Sequence, residues 1–159
     1  MKRRKILFVC NGNTCRSPMA EYLFRAEIKR RKIKFVDSAS AGIFAKDSSA
    51  MNPRSARCLE ARGMDVSKFR PRQVTQAMIA KAYACVCMTR EQKEILFCGQ
   101  DNLYCMEEIA GFSVPDPYGG TQELYERTAR LLERAAAAAA EKFFPDEGSA
   151  GKGEERREI

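Results

Sequence analysis

The sequence contains no histidine and no tryptophan. Without imidazole there can be no Ser-His-Asp or Cys-His arrangement and no zinc site with histidine ligands. Any general acid or base must be Asp, Glu, Lys, Tyr or Cys. Long apolar runs are also missing. Ile6-Leu7-Phe8-Val9 is too short for the hydrophobic region of a secretory signal, and no stretch could span a bilayer. A cytoplasmic protein with no membrane partner is therefore expected. Carboxylates are in deficit, 21 against 28 Lys and Arg, for a formal net charge of +7. Such an excess suits an acidic partner, whether phosphate, nucleic acid or an anionic surface. Its densest runs, Lys2-Arg3-Arg4-Lys5 and Lys29-Arg30-Arg31-Lys32, read as solvated flanks; with no aromatic-interleaved motif beside them, no nucleic-acid role is expected.

What is present fits one domain. A chain of 159 residues supports a single hydrophobic core. Its seven cysteines are odd in number and the chain is large enough to need no staples, so most read as small core residues in a reducing compartment. Residues 5–10 (KILFVC) form a continuous apolar run of the kind buried on both faces of a parallel sheet. After the turn Asn11-Gly12-Asn13, Ser17-Pro18 supplies an N-cap and a first-turn proline for a helix over about 18–31. Ala20, Leu23, Phe24 and Ile28 make its apolar stripe. Further strands are expected at 35–40, 83–88 and 103–106. Helices are expected from Asn52-Pro53 to Gly63 and from Thr89 to near Gly99. A long last helix carries Leu124, Thr128, Leu131, Leu132, Ala135, Ala139 and Phe143 on one face. The alternation implies an α/β fold, a four-stranded parallel sheet flanked by helices on both faces, over residues 1–147. Residues 148–159 (GSAGKGEERREI) read as a disordered tail.

In such sheets ligands bind beyond the carboxyl ends of the strands, which is where Cys10-Asn11-Gly12-Asn13-Thr14-Cys15-Arg16-Ser17-Pro18 falls. The loop N–H groups and the helix N-terminus can converge on an anion. Arg16 adds a bidentate fork for phosphate oxygens. The same positive field favours a Cys10 thiolate, the nucleophilic form of cysteine, and Ser17 can hydrogen-bond it. Gly12 and Asn13 offer the freedom for positive φ. Cys-x5-Arg alone is a weak pattern; its place between a buried strand and a Ser-Pro helix start makes it strong.

The segment resembles the signature of the low-molecular-weight protein-tyrosine-phosphatase family, Cys-x-Gly-Asn-x-Cys-Arg-Ser-Pro, matched at Cys10, Gly12, Asn13, Cys15, Arg16, Ser17 and Pro18. Ser40-Ala41-Gly42 and Asp116-Pro117-Tyr118 also fall where that family has them, and the likeness runs to about Phe144. The resemblance implies cofactor- and metal-free hydrolysis of phosphorylated proteins. Cys10 would attack phosphorus, Arg16 and the N–H groups of residues 11–15 would hold the equatorial oxygens, and Asn13 would keep the loop's shape. Asp116 would protonate the leaving atom and then activate the water that hydrolyses a cysteinyl phosphate. The resemblance also implies that Cys15 can protect Cys10 from overoxidation as a reversible disulfide.

Substrate choice turns on Thr14 and on the Gly119-Gly120 that follows Tyr118, where phosphotyrosine-directed animal members typically have a second Tyr and phosphoarginine members resemble this chain. Phosphotyrosine-directed members usually have Ile at the first position, whereas bacterial members acting on phosphoarginine resemble this chain in having Thr. A hydroxyl beside phosphorus could orient a guanidinium leaving group. Tyr118, followed by Gly119-Gly120, forms an aromatic wall able to stack a phenol or a guanidinium. Phosphoarginine is therefore set modestly ahead of phosphotyrosine, and the chain resembles the protein-arginine-phosphatase branch most. Arsenate reduction is an alternative, since arsenate reductases share the fold and use two further cysteines; Cys85 and Cys87, two apart in a strand, instead read as core. A non-catalytic phospho-binding module is another, opposed by Cys10 and Asp116, which a binder does not need.

Overall fold

Strand β1 (Arg4–Cys10) runs through the middle of the protein, with Ile6 to Val9 almost fully buried. The computed structural model describes residues 2–46 and 50–148; the tail reading for 148–159, apart from Gly148, lies outside them. β1 pairs in parallel with β2 (Val36–Gly42) on one side and β3 (Ala84–Cys87) on the other, and β3 pairs in parallel with β4 (Leu103–Cys105). The sheet order is β2-β1-β3-β4. The chain thus reverses its winding direction beside β1, and crevices open at such switch points.

Alternate side chains of β1 feed two cores, as a doubly covered strand requires. Ile6, Phe8 and Cys10 face α1 (Arg16–Arg31), α2 (Pro53–Glu60), α5 (Met106–Ala110) and α6 (Gln122–Phe143). Leu7 and Val9 face α3 (Gln76–Lys81) and α4 (Arg90–Leu96). The expected architecture is present, but α3 and α5 were not expected. Both are single short helices, held by a Thr75 side-chain cap and by the Glu108 carboxylate accepting from Cys105 N–H, so neither displays a long periodic stripe. β2 starts and ends later than the apolar pattern suggests, because Ala41 and Gly42 remain in register with Val9 and Cys10.

The long helix is rotated from its expected face. Tyr125, Ala129, Ala136 and Ala140 join Thr128, Leu132, Ala135 and Ala139 in the interior, while Leu124 is exposed. Small alanines let α6 lie close against α1, which selects this face over the leucine-richer one. The basic runs are not simply solvated either. Arg31 links Glu27 of its own helix to Glu141 of α6 (both 2.8 Å), and Arg4 forms a bidentate pair with Glu147 (2.6 and 2.7 Å) over the Phe144 ring. Phe24, fully buried, meets Phe8 edge-on at 5.5 Å. Phe24→Ala should lower the unfolding free energy by about 3–5 kcal/mol, measured by denaturant titration; a loss under about 1 kcal/mol would contradict this packing.

Candidate active site

The carboxyl end of β1 delivers Cys10 into a loop that closes at once into α1. Helix α1 starts at Arg16, not at the expected Ser17-Pro18 boundary, and Cys15 occupies its N-cap without a side-chain bond. Ser17 caps nothing, because its hydroxyl is engaged with Cys10 Sγ at 2.9 Å and accepts from Asn13 Nδ2 at 2.9 Å. The first turn therefore keeps its orphan donors. Among the described residues, no backbone N–H of residues 12–17 donates a hydrogen bond within the protein. Pro18 loses nothing at this position, since its missing N–H belongs to the same uncapped turn.

The loop is held from behind. Only Asn13 (φ 57°), not Gly12, takes the left-handed conformation, which asparagine tolerates. Its fully buried side chain donates to Ser17 Oγ and to Ser40 Oγ, both at 2.9 Å, and accepts from Arg72 N–H at 2.9 Å. Ser40 in turn donates to the buried Glu21 carboxylate at 2.7 Å, which pairs with Arg25 at 3.1 Å. Backbone bonds from Ile43 to Cys10 O, from Phe44 to Asn11 O and from Asn52 to Thr14 O pin the front of the loop. Gly42 passes so close that a Cβ there would lie 2.8–2.9 Å from the backbone of Asn11, Gly12 and Asn13.

A cavity of about 200 Å³ is lined by Cys10, Gly12, Thr14, Cys15, Arg16, Asp116 and Tyr118. Of the expected site residues, Asn13 and Ser17 stand behind this lining. Asn11 turns its side chain away, accepting from Gln92 Nε2 at 3.0 Å. Arg16 is only 3% exposed. One guanidinium nitrogen donates to Val114 O at 3.0 Å, another lies 3.7 Å from Asp116 Oδ2, and Nε is buried with no partner among the described residues. A buried orphan donor is costly, and an anionic oxygen beside it would offset that cost. Asp116 is half-exposed, its Oδ1 accepting from Tyr118 N–H at 3.1 Å. Burial pushes the Cys15 thiol up, with Tyr125 Oη 3.4 Å away easing the shift; burial likewise raises Tyr125, Cys15 adding to it. The arrangement sets a sulfur nucleophile, an anion cradle and a carboxyl group around one small volume.

The family described as low molecular weight phosphotyrosine protein phosphatase matches residues 5–146. The chain belongs to that family. By this membership it is a hydrolase of the protein-phosphatase class. The protein-arginine-phosphatase of Bacillus subtilis is 30% identical over 148 residues, covering 89% of this chain and 97% of that one. A low molecular weight protein tyrosine phosphatase structure from T. tengcongensis is 32% identical with a TM-score of 0.81, covering 87% of this phosphatase and 99% of its own chain. A structure of the YwlE arginine phosphatase, mutated and carrying a phosphorylated active-site serine, is 30% identical with a TM-score of 0.81 and covers 89% and 97%.

Sequence reasoning missed four supporting residues: Gly42, Glu21, Arg72 and Tyr125. Gly42 was visible only as part of Ser40-Ala41-Gly42, and Tyr125 could have been found from the second stripe it shares with Thr128, Ala129 and Leu132. Glu21 and Arg72 gave no signal, being one charge among many. Cys85 and Cys87 are fully buried in the sheet, as expected of core residues. Gly42→Ala should push the loop away from β2 and lower kcat/KM on a phosphomonoester by about 100-fold while leaving circular dichroism unchanged. Near-native turnover would show that the close approach is not required.

Proposed function

We propose that this phosphatase removes phosphoryl groups from phosphorylated proteins in the cytoplasm through a cysteinyl-phosphate intermediate, with phosphoarginine preferred to phosphotyrosine. The observation that carries the reading is the convergence of Cys10, Arg16 and Asp116 on one cavity of about 200 Å³. Cys10 Sγ attacks phosphorus as the P–O or P–N bond breaks, and the Ser17 hydroxyl stabilises the thiolate by hydrogen bonding. The free N–H groups of the loop and Arg16 hold the three equatorial oxygens, where charge accumulates. Arg16 changes partners in this scheme. An incoming phosphoryl dianion competes with Asp116 for the guanidinium, freeing the carboxyl to take a proton and hand it to the leaving atom. With the leaving group gone, Asp116 accepts a proton from the water that attacks the S–P bond, and Cys10 departs as thiolate. The phosphorylated serine of the YwlE structure supports a phosphoenzyme of this type.

The substrate preference rests on Thr14, which lines the cavity together with Tyr118, and on the likeness to the protein-arginine-phosphatase. The Thr14 hydroxyl offers an acceptor to the guanidinium N–H groups of phosphoarginine that a phenol does not need. Cys15 lines the same cavity as Cys10, which supports a protective step in which a sulfenic acid formed on Cys10 by peroxide condenses with the Cys15 thiol, releasing water and forming a disulfide.

Matched phosphoarginine and phosphotyrosine peptides, assayed in parallel, test the preference: phosphoarginine should be favoured, and Thr14→Ile should shift the ratio toward phosphotyrosine. Equal ratios in both proteins would overturn the role of Thr14. Asp116→Ala should lower kcat by about 10²–10⁴-fold while acid quench still traps phosphocysteine; Cys10→Ser should be inactive. Recovery of activity by dithiothreitol after peroxide should be lost in Cys15→Ser, and full recovery there would refute the disulfide.

A further inference from the structure

The catalytic cavity is large enough for little more than a phosphorylated side chain, so discrimination among proteins must use another surface. One stands on the β2 side of the sheet, where two cavities meet at Arg72. The first, about 370 Å³, has Lys68, Arg70 and Arg72 on its rim and Tyr22 and Phe69 in its wall. The three cations are exposed, Lys68 in a turn and Arg70 and Arg72 on the far side of the buried Phe69. The second, about 440 Å³, has Lys2, Arg3, Lys5 and Lys81 around a floor that includes Leu7, Ala39 and Met78. Residues read from sequence as a solvated flank thus belong to a shaped site.

Among the described residues, none of these seven cations has a carboxylate within salt-bridge distance. The two acidic residues that line the cavities, Glu21 and Asp37, are both held by Arg25, at 3.1 and 3.0 Å. Elsewhere Arg4, Arg16, Arg31, Arg62, Arg90 and Lys93 are all paired. These seven are gathered at two adjoining cavities, whereas other described cations without a carboxylate at salt-bridge distance, such as Lys34, Arg57 and Arg130, line neither. Apolar floors beneath cationic rims suit a chain that alternates acidic with apolar side chains, and suit a uniformly charged backbone less well.

We propose that the paired cavities around Arg72 dock an acidic segment of the protein substrate, at a distance in sequence from its phosphorylated residue. The inference rests on the reading of phosphorylated proteins as substrates. It gives the enzyme a charge-based preference that the catalytic cavity cannot supply. The same segment touches the catalytic loop from behind, through the Arg72 N–H bond to Asn13, but docking as proposed requires only the exposed cations.

The test uses Lys68→Glu/Lys81→Glu, one substitution in each cavity and neither in the catalytic machinery, with Lys68→Gln/Lys81→Gln as a milder variant should the first not fold. An unphosphorylated peptide rich in Asp, Glu and Leu is titrated by fluorescence anisotropy against the Cys10→Ser protein with and without the substitutions, so binding is read independently of turnover. The charge-reversed protein should bind it about tenfold more weakly, and the Gln variant by a smaller factor. A neutral peptide should show no difference, and turnover of p-nitrophenyl phosphate by the variants with Cys10 intact should be unchanged. Equal affinity of all variants for the acidic peptide would overturn the proposal. So would equally tight, equally substitution-sensitive binding of single-stranded DNA or phosphatidylserine vesicles. Loss of p-nitrophenyl phosphate turnover in the unsubstituted protein would count against the catalytic reading and leave the binding result standing.

Discussion

A loop that holds an anion through its own N–H groups must leave those groups unbonded to the rest of the protein. Everything that fixes its shape then has to come from side chains and carbonyls behind it. That constraint orders this structure. The N–H groups of residues 12–17 make no internal hydrogen bond among the described residues, while the carbonyls of Cys10, Asn11 and Thr14 are all used by neighbouring segments. The helix that follows starts without a side-chain cap, although a cap is ordinarily worth about 1 kcal/mol. An anion bound in the cavity, as proposed, would supply the missing acceptor.

Shape is then imposed by a buried relay running from Ser17 through Asn13 and Ser40 to Glu21, whose carboxylate the exposed Arg25 pairs from outside. Each link is between atoms that would be costly to leave unpaired, about 1–3 kcal/mol for a buried neutral group. The relay therefore resists any loop conformation that breaks one link. It also explains why a carboxylate can sit almost buried at Glu21, since both of its oxygens are engaged. Gly42 adds the steric side of the same restraint, bringing the β2 backbone against the loop where no side chain would fit.

The parts of the fold legible in the sequence were those specified locally. A doubly buried strand shows as an unbroken apolar run, and Cys10, Arg16 and Asp116 could be picked out because reactive residues sat beside turn and helix-start residues. What stayed illegible depended on partners far along the chain. Ser17 reads as an N-cap until Asn13 and Cys10 are seen to occupy its hydroxyl. The α6 face is chosen by how closely α1 can approach the alanines, a property of two helices together, so Leu124 and Leu131 were favoured over Tyr125 and Ala129. Short helices such as α3 and α5 are stabilised by a single cap and by packing, which leaves no periodic trace. The basic runs were misjudged for a related reason: whether a cation is solvated, paired or gathered at a cavity is decided by tertiary neighbours such as Glu141 and Glu147.

The catalytic cavity divides its lining between rigid and replaceable parts. Cys10, Gly12, Cys15 and Arg16 belong to the restrained loop and first helical turn, where a displaced atom would disturb the cradle. Asp116 stands apart, in a half-exposed segment between two prolines, tied by the Tyr118 N–H bond and by a 3.7 Å approach to Arg16. A carboxyl group that gives and then takes a proton, as proposed for Asp116, is better served by such a site than by the sheet, because in that scheme its partner changes as phosphate arrives. Thr14 and Tyr118 carry neither duty. Thr14 uses its carbonyl for loop support while its hydroxyl lies 3.8 Å from Cys15 Sγ, and Tyr118 is 76% exposed. In the proposed reading, variation at Thr14 changes which leaving group is accepted while the phosphorus chemistry is kept, and relatives described as arginine and as tyrosine phosphatases share the fold.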